Sequence, residues 1–201
     1  TRLKHTNIVE MYGYGIDGSI SYGQENLSNV WYILLEYCSE RTLVDLIATN
    51  GIIYENHAKV LFSQMIEVLE YIYSMGLCHR DIKLENILIS NSGNEYNIKF
   101  TDFGFSSLSS DVTKGILGSR GYMAPEILDG KPFQGEQVDI FALGYLLCTM
   151  ITGKYPFSEA RFRDTQYRYI MQKDYQSFWK DYELLSENAK DLIQLMIECF
   201  P

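Results

Sequence analysis

The chain has 201 residues, of which 46% are hydrophobic and 14% aromatic, so it can bury a substantial core and is not disordered throughout. Its formal charge of -9 at pH 7 argues against a nucleic-acid-binding protein, because phosphate backbones select clustered Lys and Arg. The acidic balance favours cationic partners instead.

The cysteines lie far apart and form no CxxC pair. This spacing favours a reduced, intracellular and cytoplasmic protein over a disulfide scaffold or a zinc site. The longest uncharged apolar run, residues 140–153, is shorter than the ~20 residues of a membrane-spanning helix, so no membrane span is predicted. Because the chain begins without methionine inside a patterned stretch, we expect it to be part of a longer protein.

Strand patterns come first in the chain. Residues 29–37 (NVWYILLEY) are rich in aromatic and branched side chains, which predicts a strand. The preceding residues 15–29 are rich in Gly, Ser and Asn, which predicts a loop or the tip of a hairpin. Over residues 58–73, apolar residues then recur at the spacing of one helical face: Leu61, Met65, Val68, Leu69 and Ile72.

The second half combines a hairpin with further helices. Residues 86–104 (NILISNSGNEYNIKFTDFG) predict two short strands joined through residues 91–94. Residues 138–151 are hydrophobic all round, which predicts a central buried helix. An amphipathic helix is predicted after Ser186, its N-cap, from the apolar positions Ala189, Leu192, Ile193 and Met196.

The stretch HRDIKLENIL, residues 79–88, places polar groups in the turn between the long helix and the hairpin. Asp81 can accept a proton or orient a hydroxyl, and Lys83 can lie against a developing negative charge. Asn86, and Asp102 on the far strand of the hairpin, offer hard oxygen ligands suited to Mg²⁺. Such a set is what phosphoryl transfer from a metal-bound nucleotide requires, because that chemistry depends on positioning and charge neutralisation.

An ordered series of motifs resembles the eukaryotic protein kinases: HTNIV, LLEYC, HRDIKLEN, DFG, YMAPE, VDIFALG and SENAKDLIQLM. The resemblance implies an α+β, two-lobed fold. Residues 1–37 would be a small-lobe remnant with the start of the hinge, and residues 38–201 a mainly helical large lobe, truncated at its C-terminal end. The family's glycine-rich loop, strand lysine and partner glutamate would precede Thr1, so we expect the isolated segment to be inactive.

The resemblance also implies ATP and Mg²⁺ as cofactors and assigns the polar residues. Asp81 would be the catalytic aspartate that receives the substrate hydroxyl proton, and Lys83 would steady the transferred phosphate. Asn86 and Asp102 would hold the magnesium ions. Ser119 stands where the family commonly has threonine, and its hydroxyl is expected to bridge Asp81 and Lys83; simple loop polarity is the alternative for this serine.

The adenine site is assigned by the same resemblance. Leu35 would control the depth of the pocket. The backbone of Glu36 and Cys38 would hydrogen-bond the adenine edge, and Leu88 would lie beneath the ring.

The resemblance also assigns residues that report or control the active state of the enzyme. His79 and Phe103 are expected to stack in a hydrophobic column, without titrating in catalysis. Arg80 would hold a phosphorylated residue of the activation loop. The family's usual acceptor position falls at Gly115, so Thr113 is the nearest threonine that can be phosphorylated.

The substrate class follows from the loop sequence. DIKLEN resembles serine/threonine kinases, so protein substrates with Ser or Thr are expected. Glu85 lies where related kinases recognise an upstream arginine, whereas the second acid expected on the central helix is replaced by Thr149. The alternative is that Glu85 only adds to surface solubility. GYMAPEIL and LLSENAKDLIQLMIE resemble the calcium/calmodulin-dependent and energy-sensing kinases.

Two other classes of function stay open at this point. Without phosphate-gripping strands, the chain could serve as a non-catalytic interaction module. A small-molecule kinase would share the Asp and Asn geometry, but YMAPE and VDIFALG resemble the platform for protein substrates that those enzymes lack.

Overall fold

The computed structural model describes residues 3–38, 41–92, 95–182 and 185–198. Strands dominate the first part and helices the second, which confirms the predicted α+β class. Within the described residues, no helix is both long and apolar enough to cross a membrane.

A long antiparallel hairpin opens the fold. Strand β1 (Met11–Tyr22) pairs with β2 (Glu25–Leu35), from Met11 opposite Leu35 to Tyr22 opposite Glu25. The predicted strand is confirmed, with an earlier start and end. Of the two alternatives predicted for residues 15–29, the tip of a hairpin is present, with its turn at Gly23, and an extended loop is not. Gly15 and Gly18 lie within β1 and make room for the Tyr32 ring: a Cβ on either would lie within 2.6 Å of it.

Two helices follow and begin the core. Helix α1 (Leu43–Asn50) was not predicted; the Thr42 side chain caps it by accepting the Asp45 N–H, while the Asp45 carboxylate accepts the Thr42 N–H. Helix α2 (Glu55–Ser74) was predicted, and all five residues of its predicted apolar face are buried. This helix leads directly into the polar stretch at His79.

The polar stretch is framed by short strands. Strand β3 (Leu77–Cys78) precedes it, and the predicted hairpin of β4 (Ile87–Ser92) and β5 (Glu95–Phe100) follows it. Residues 93–94 of the predicted connection lie outside the described residues. Phe100 also exchanges backbone hydrogen bonds with Asn7 and Val9, at 2.8 and 2.9 Å, which ties the hairpin to the beginning of the chain.

Two short strand pairs hold the segment that follows the hairpin. Strand β6 (Ser107–Leu108) pairs with β3, and β7 (Val112–Thr113) pairs with β8 (Phe133–Gln134). The short helix α3 (Pro125–Leu128) lies between β7 and β8 in sequence. Strand pairing therefore anchors this segment at two places.

The core is centred on the predicted buried helix, α4 (Gly135–Thr152), most of whose residues are inaccessible. Helices α5 (Thr165–Met171) and α6 (Tyr175–Phe178) follow and were not predicted. Helix α7 (Glu187–Ile197) was predicted, and its N-cap Ser186 accepts the Ala189 N–H at 3.2 Å. Of its predicted apolar positions only Leu192 is exposed, at 42%.

Candidate active site

A buried carboxylate on α4 fixes the backbone of the polar stretch. Asp139 accepts the N–H of His79 at 2.7 Å and the N–H of Arg80 at 2.6 Å. These bonds hold Arg80 at a φ of 66°, a left-handed conformation that costs energy for a side chain of this size. Burial raises the pKa of Asp139 to about 7, against the opposing effect of the two backbone donors. Sequence reasoning missed this residue, although it is the only charged side chain in residues 138–151.

The imidazole of His79 is a structural element of the site. It is fully buried, with ring centroids 4.7 Å from Phe103 and 5.8 Å from Phe100. Nδ1 accepts the Asp81 N–H at 3.3 Å, so the proton resides on Nε2, which faces the Thr101 carbonyl at 3.3 Å. Burial lowers the pKa of His79 to about 4. The ring is therefore neutral near pH 7, in agreement with the predicted stacking role.

Three polar side chains converge on Asp81, which is 3% exposed. Lys83 Nζ lies 2.8 Å from Asp81 Oδ2, and the Ser119 hydroxyl donates to Oδ1 at 2.9 Å. Lys83 Nζ also donates to Ser119 Oγ at 2.9 Å, so the predicted serine bridge is present. Burial raises the pKa of Asp81, but hydrogen bonds from Lys83, Ser119 and Asn86 outweigh it and the net shift is downward. The carboxylate is therefore ionised and able to accept a proton.

Two residues present oxygen atoms suited to a divalent cation. The Asn86 amide nitrogen donates to Asp81 O at 3.0 Å and Oδ2 at 3.2 Å, which leaves the amide oxygen for a ligand. Asp102 has a φ of 60°, and its Oδ1 accepts the Gly104 N–H at 3.2 Å. Among the described residues no group of three or more His, Cys, Asp or Glu can hold a metal. An Asn–Asp pair suits Mg²⁺ that completes its shell with phosphate and water oxygens.

A cavity of about 520 Å³ lies between the first hairpin and the DFG turn. Leu35, 48% exposed at the end of β2, lines it together with Met11 and Ile33. Asp102 and Phe103 line the opposite side. The residue predicted to control pocket depth therefore faces a real cavity, next to a predicted metal ligand.

The other predicted adenine residues lie at the edge of the first hairpin and on β4. Glu36 donates its backbone N–H to Glu10 O at 2.8 Å, so its carbonyl is the group left for a nucleotide. Its carboxylate pairs with Lys99 Nζ at 2.9 Å. Cys38 is a half-buried free thiol, and burial raises its pKa. Leu88 is half-buried on β4.

The predicted regulatory pair is in direct contact. Arg80 Nη1 donates to the Thr113 hydroxyl at 2.7 Å, and Arg80 Nε donates to the Phe105 carbonyl at 2.6 Å. The arginine is thus bound to two points of the segment between the DFG turn and β7. The sequence indicated Thr113 only as the nearest threonine, and the pairing of β7 with β8 is what places it against Arg80.

The predicted substrate residue Glu85 is exposed beside this centre. Tyr122 lies next to it: burial is the main cause that raises the Tyr122 pKa, and the charge of Glu85 adds to it. Thr149 is 3% exposed, and its hydroxyl donates to the Tyr145 carbonyl within α4. Glu85 is therefore open to solvent, whereas Thr149 is buried within the helix.

Comparisons with known proteins agree with this geometry. Residues 1–201 match the family model described as a protein kinase domain. The chain is 32% identical to CBL-interacting protein kinase 1 of Oryza sativa, over 99% of this chain and 40% of that protein. It is 38% identical to CBL-interacting protein kinase 31 of the same plant, over 78% of this chain and 33% of that protein. It is 32% identical to the probable serine/threonine-protein kinase KCC4 of Saccharomyces cerevisiae, over 95% of this chain and 17% of that protein. The chain therefore spans at most two fifths of the length of these relatives.

Proposed function

The chain belongs to the protein kinase family, and we propose that the protein containing it transfers the γ-phosphate of ATP to serine and threonine hydroxyls of protein substrates. The observation that carries this proposal is the ionised Asp81, held by Lys83, Ser119 and Asn86 within 3.2 Å. A non-catalytic interaction module is less well supported, because such a module has no need of this buried and fully paired set.

In the proposed reaction Asp81 is the general base. The substrate hydroxyl donates its proton to the Asp81 carboxylate while its oxygen attacks the γ-phosphorus, and the bond from that phosphorus to the leaving oxygen of ADP breaks. Lys83, 2.8 Å from the same carboxylate, lies where it can offset negative charge on the transferred group. Ser119 fixes the position of Lys83 relative to Asp81, because its hydroxyl contacts both side chains.

The nucleotide site uses residues on both sides of the cavity. Asn86 and Asp102 would hold Mg²⁺, which when bound neutralises phosphate charge. The Glu36 carbonyl and the Cys38 N–H would pair with the adenine edge. Leu35 and Leu88 would enclose the ring. On this assignment residues 1–37 belong to the small lobe and the hinge, and residues 38–201 to the large lobe.

The proposal includes a modest preference for basic substrates. Glu85 is exposed and can form a charge-assisted pair with an arginine upstream of the target residue. Because a single exposed pair contributes ~1 kcal/mol or less, the preference should be weak. The alternative, that Glu85 only adds surface charge, predicts no such preference, and Glu85→Gln distinguishes the two.

Control by loop phosphorylation is the second part of the proposal. The Arg80–Thr113 contact of 2.7 Å offers a cation to a phosphate on Thr113. The same contact already orders the loop with a neutral hydroxyl. Unchanged activity of the full-length Thr113→Ala variant would indicate a loop that is competent without modification.

We also place the protein inside the cell, in the cytoplasm. The support is chemical: Cys38, Cys78 and Cys148 are all free thiols, as expected in a reducing compartment. Cys199 lies outside the described residues.

The experiment that tests the function is phosphate transfer by the full-length protein. With γ-labelled ATP and Mg²⁺, label should appear on serine and threonine peptides and be absent from a matched tyrosine peptide. Asn86→Ala should raise the Mg²⁺ concentration needed for half-maximal rate, because it removes one proposed ligand. Label on tyrosine alone, or label released only as inorganic phosphate, would contradict the proposal.

A further inference from the structure

Three arginines surround one carboxylate beside the candidate active site. Arg120 Nε lies 3.3 Å from Glu159 Oε1, and Arg163 Nη2 hydrogen-bonds Glu159 Oε2. Arg161 acts on the same carboxylate through its charge. We call Arg120, Arg161 and Arg163 the arginine cluster. It concentrates positive charge in a chain whose net charge is -9.

Only two members of the arginine cluster face solvent. The Arg161 guanidinium donates to the Leu128 carbonyl at 2.6 Å, so it is partly committed to α3. The Arg120 and Arg163 side chains are 72% and 67% exposed, whereas Glu159 is 17% exposed. The outer surface therefore presents two guanidinium groups, with the carboxylate that they share recessed beneath them.

Further acids lie near this surface: Glu126 and Asp129 line a cavity together with Arg161 and Arg163, and the Asp129 carboxylate pairs with Lys131 Nζ at 3.2 Å. Asp164 accepts the N–H of Ser158 at 2.9 Å and the N–H of Tyr167 at 3.0 Å, so its carboxylate caps α5. Within the described part of the chain, Arg120 forms its ion pair through Nε, and its two Nη groups have no further ion-pair or hydrogen-bond partner. Those groups carry most of the donors of the planar fork that pairs with carboxylates and phosphates.

The position of Arg120 links the arginine cluster to the site of reaction. Arg120 directly follows Ser119, whose hydroxyl donates to Asp81 at 2.9 Å. Neighbouring Cα atoms are about 3.8 Å apart, and an extended peptide advances about 3.3 Å per residue. A substrate whose hydroxyl reaches Asp81 therefore brings residues only a few positions away within range of Arg120.

We propose that Arg120 and Arg163 form a docking site for an anionic side chain of the protein substrate, a few residues from the phosphorylated serine or threonine. This inference rests on the proposed function and deepens it. The anion is a carboxylate or a phosphorylated side chain, since the guanidinium fork accepts both. Glu85 would select a cationic residue at another position, so the two sites together favour substrates that carry both charges.

The test uses the full-length protein and a serine peptide in which glutamate or phosphoserine occupies each flanking position in turn. At one or two positions the anion should raise kcat/KM by about 1.5- to 5-fold, the range for an exposed ion pair. Arg120→Gln should abolish this gain, and Arg120→Glu should turn it into a preference for lysine at the same position. Lys190→Gln on α7 removes an equal charge far from the site and should leave the gain intact.

Two outcomes separate this inference from the proposed function. Equal phosphorylation of neutral and anionic peptides, or an unchanged gain in Arg120→Glu, overturns the docking site and leaves the kinase assignment standing. If no peptide is phosphorylated, the proposed function fails. Binding of an acidic peptide then tests the docking site on its own. Fluorescence anisotropy of a labelled acidic peptide should then show weaker binding to Arg120→Glu than to the unmodified protein, and equal binding would overturn it.

Discussion

Replacing Asp139 by asparagine should loosen the polar stretch, residues 79–88, from helix α4. The carboxylate accepts two short hydrogen bonds, of 2.6 and 2.7 Å, from the backbone of Arg80 and His79. The amide keeps one acceptor oxygen and turns a nitrogen donor toward the other N–H. One charge-assisted bond is lost, at about 1.5–3 kcal/mol, and a buried donor is left unpaired, at about 1–3 kcal/mol. We therefore expect Asp139→Asn to lower the free energy of unfolding by about 2.5–6 kcal/mol at a pH above the Asp139 pKa of about 7, where the carboxylate is ionised.

The effect should also reach activity, because the left-handed conformation of Arg80, with its φ of 66°, depends on these bonds. Urea unfolding measures the first effect, and kcat at a temperature where the variant is folded measures the second. Leu143→Ala is the matched control: it is buried on the same helix and should cost about 2–5 kcal/mol without moving the polar stretch.

Two results would refute this reasoning. One is an unfolding free energy of Asp139→Asn within about 1 kcal/mol of the unmodified protein, below the loss of even one charged bond. The other is a kcat equal to that of Leu143→Ala, which would mean that the polar stretch keeps its geometry without the carboxylate.

Two further predictions follow from single contacts. Ser119→Ala removes a hydrogen bond that lowers the pKa of Asp81, so the acidic limb of the pH profile of kcat/KM should move to higher pH, whereas Ser119→Thr should not shift it. Gly135→Ala places a Cβ 2.0 Å from Cys78 Sγ and should lower stability to urea by about 1–3 kcal/mol. Adding Cys78→Ala should restore part of that loss, because the contact of 2.8 Å to the Cys78 Cβ remains; no restoration would show that the clash is not the cause.

The helices that the sequence patterns predicted are buried either along one whole face or on every side. Helix α2 has a single buried face and α4 is buried on every side, and both patterns are visible in the sequence. The first hairpin was predicted only in part, because Gly15 and Gly18 resemble turn residues. Their actual role, giving room to the Tyr32 ring, depends on pairing across the hairpin, which composition does not reveal.

The candidate site was predictable as a set of residues, because its motif lies mostly in one stretch of the chain. Its supports were not, since they come from distant segments. Asp139 is 60 positions from the backbone that it holds at His79. The exposure of Leu192 has a similar origin, because the way α7 docks on α4 decides which of its apolar residues are covered.

The most direct test of the account compares turnover of the full-length protein with that of its Asp81→Asn variant at saturating ATP and Mg²⁺. The amide keeps the shape of the side chain and cannot take the proton, so kcat should fall by about 10²–10⁴-fold. Nucleotide affinity, measured by titration calorimetry, should be nearly unchanged, because Asp81 is not among the proposed nucleotide or metal ligands. Turnover of Asp81→Asn within twofold of the unmodified protein would contradict the assignment of Asp81 as the general base.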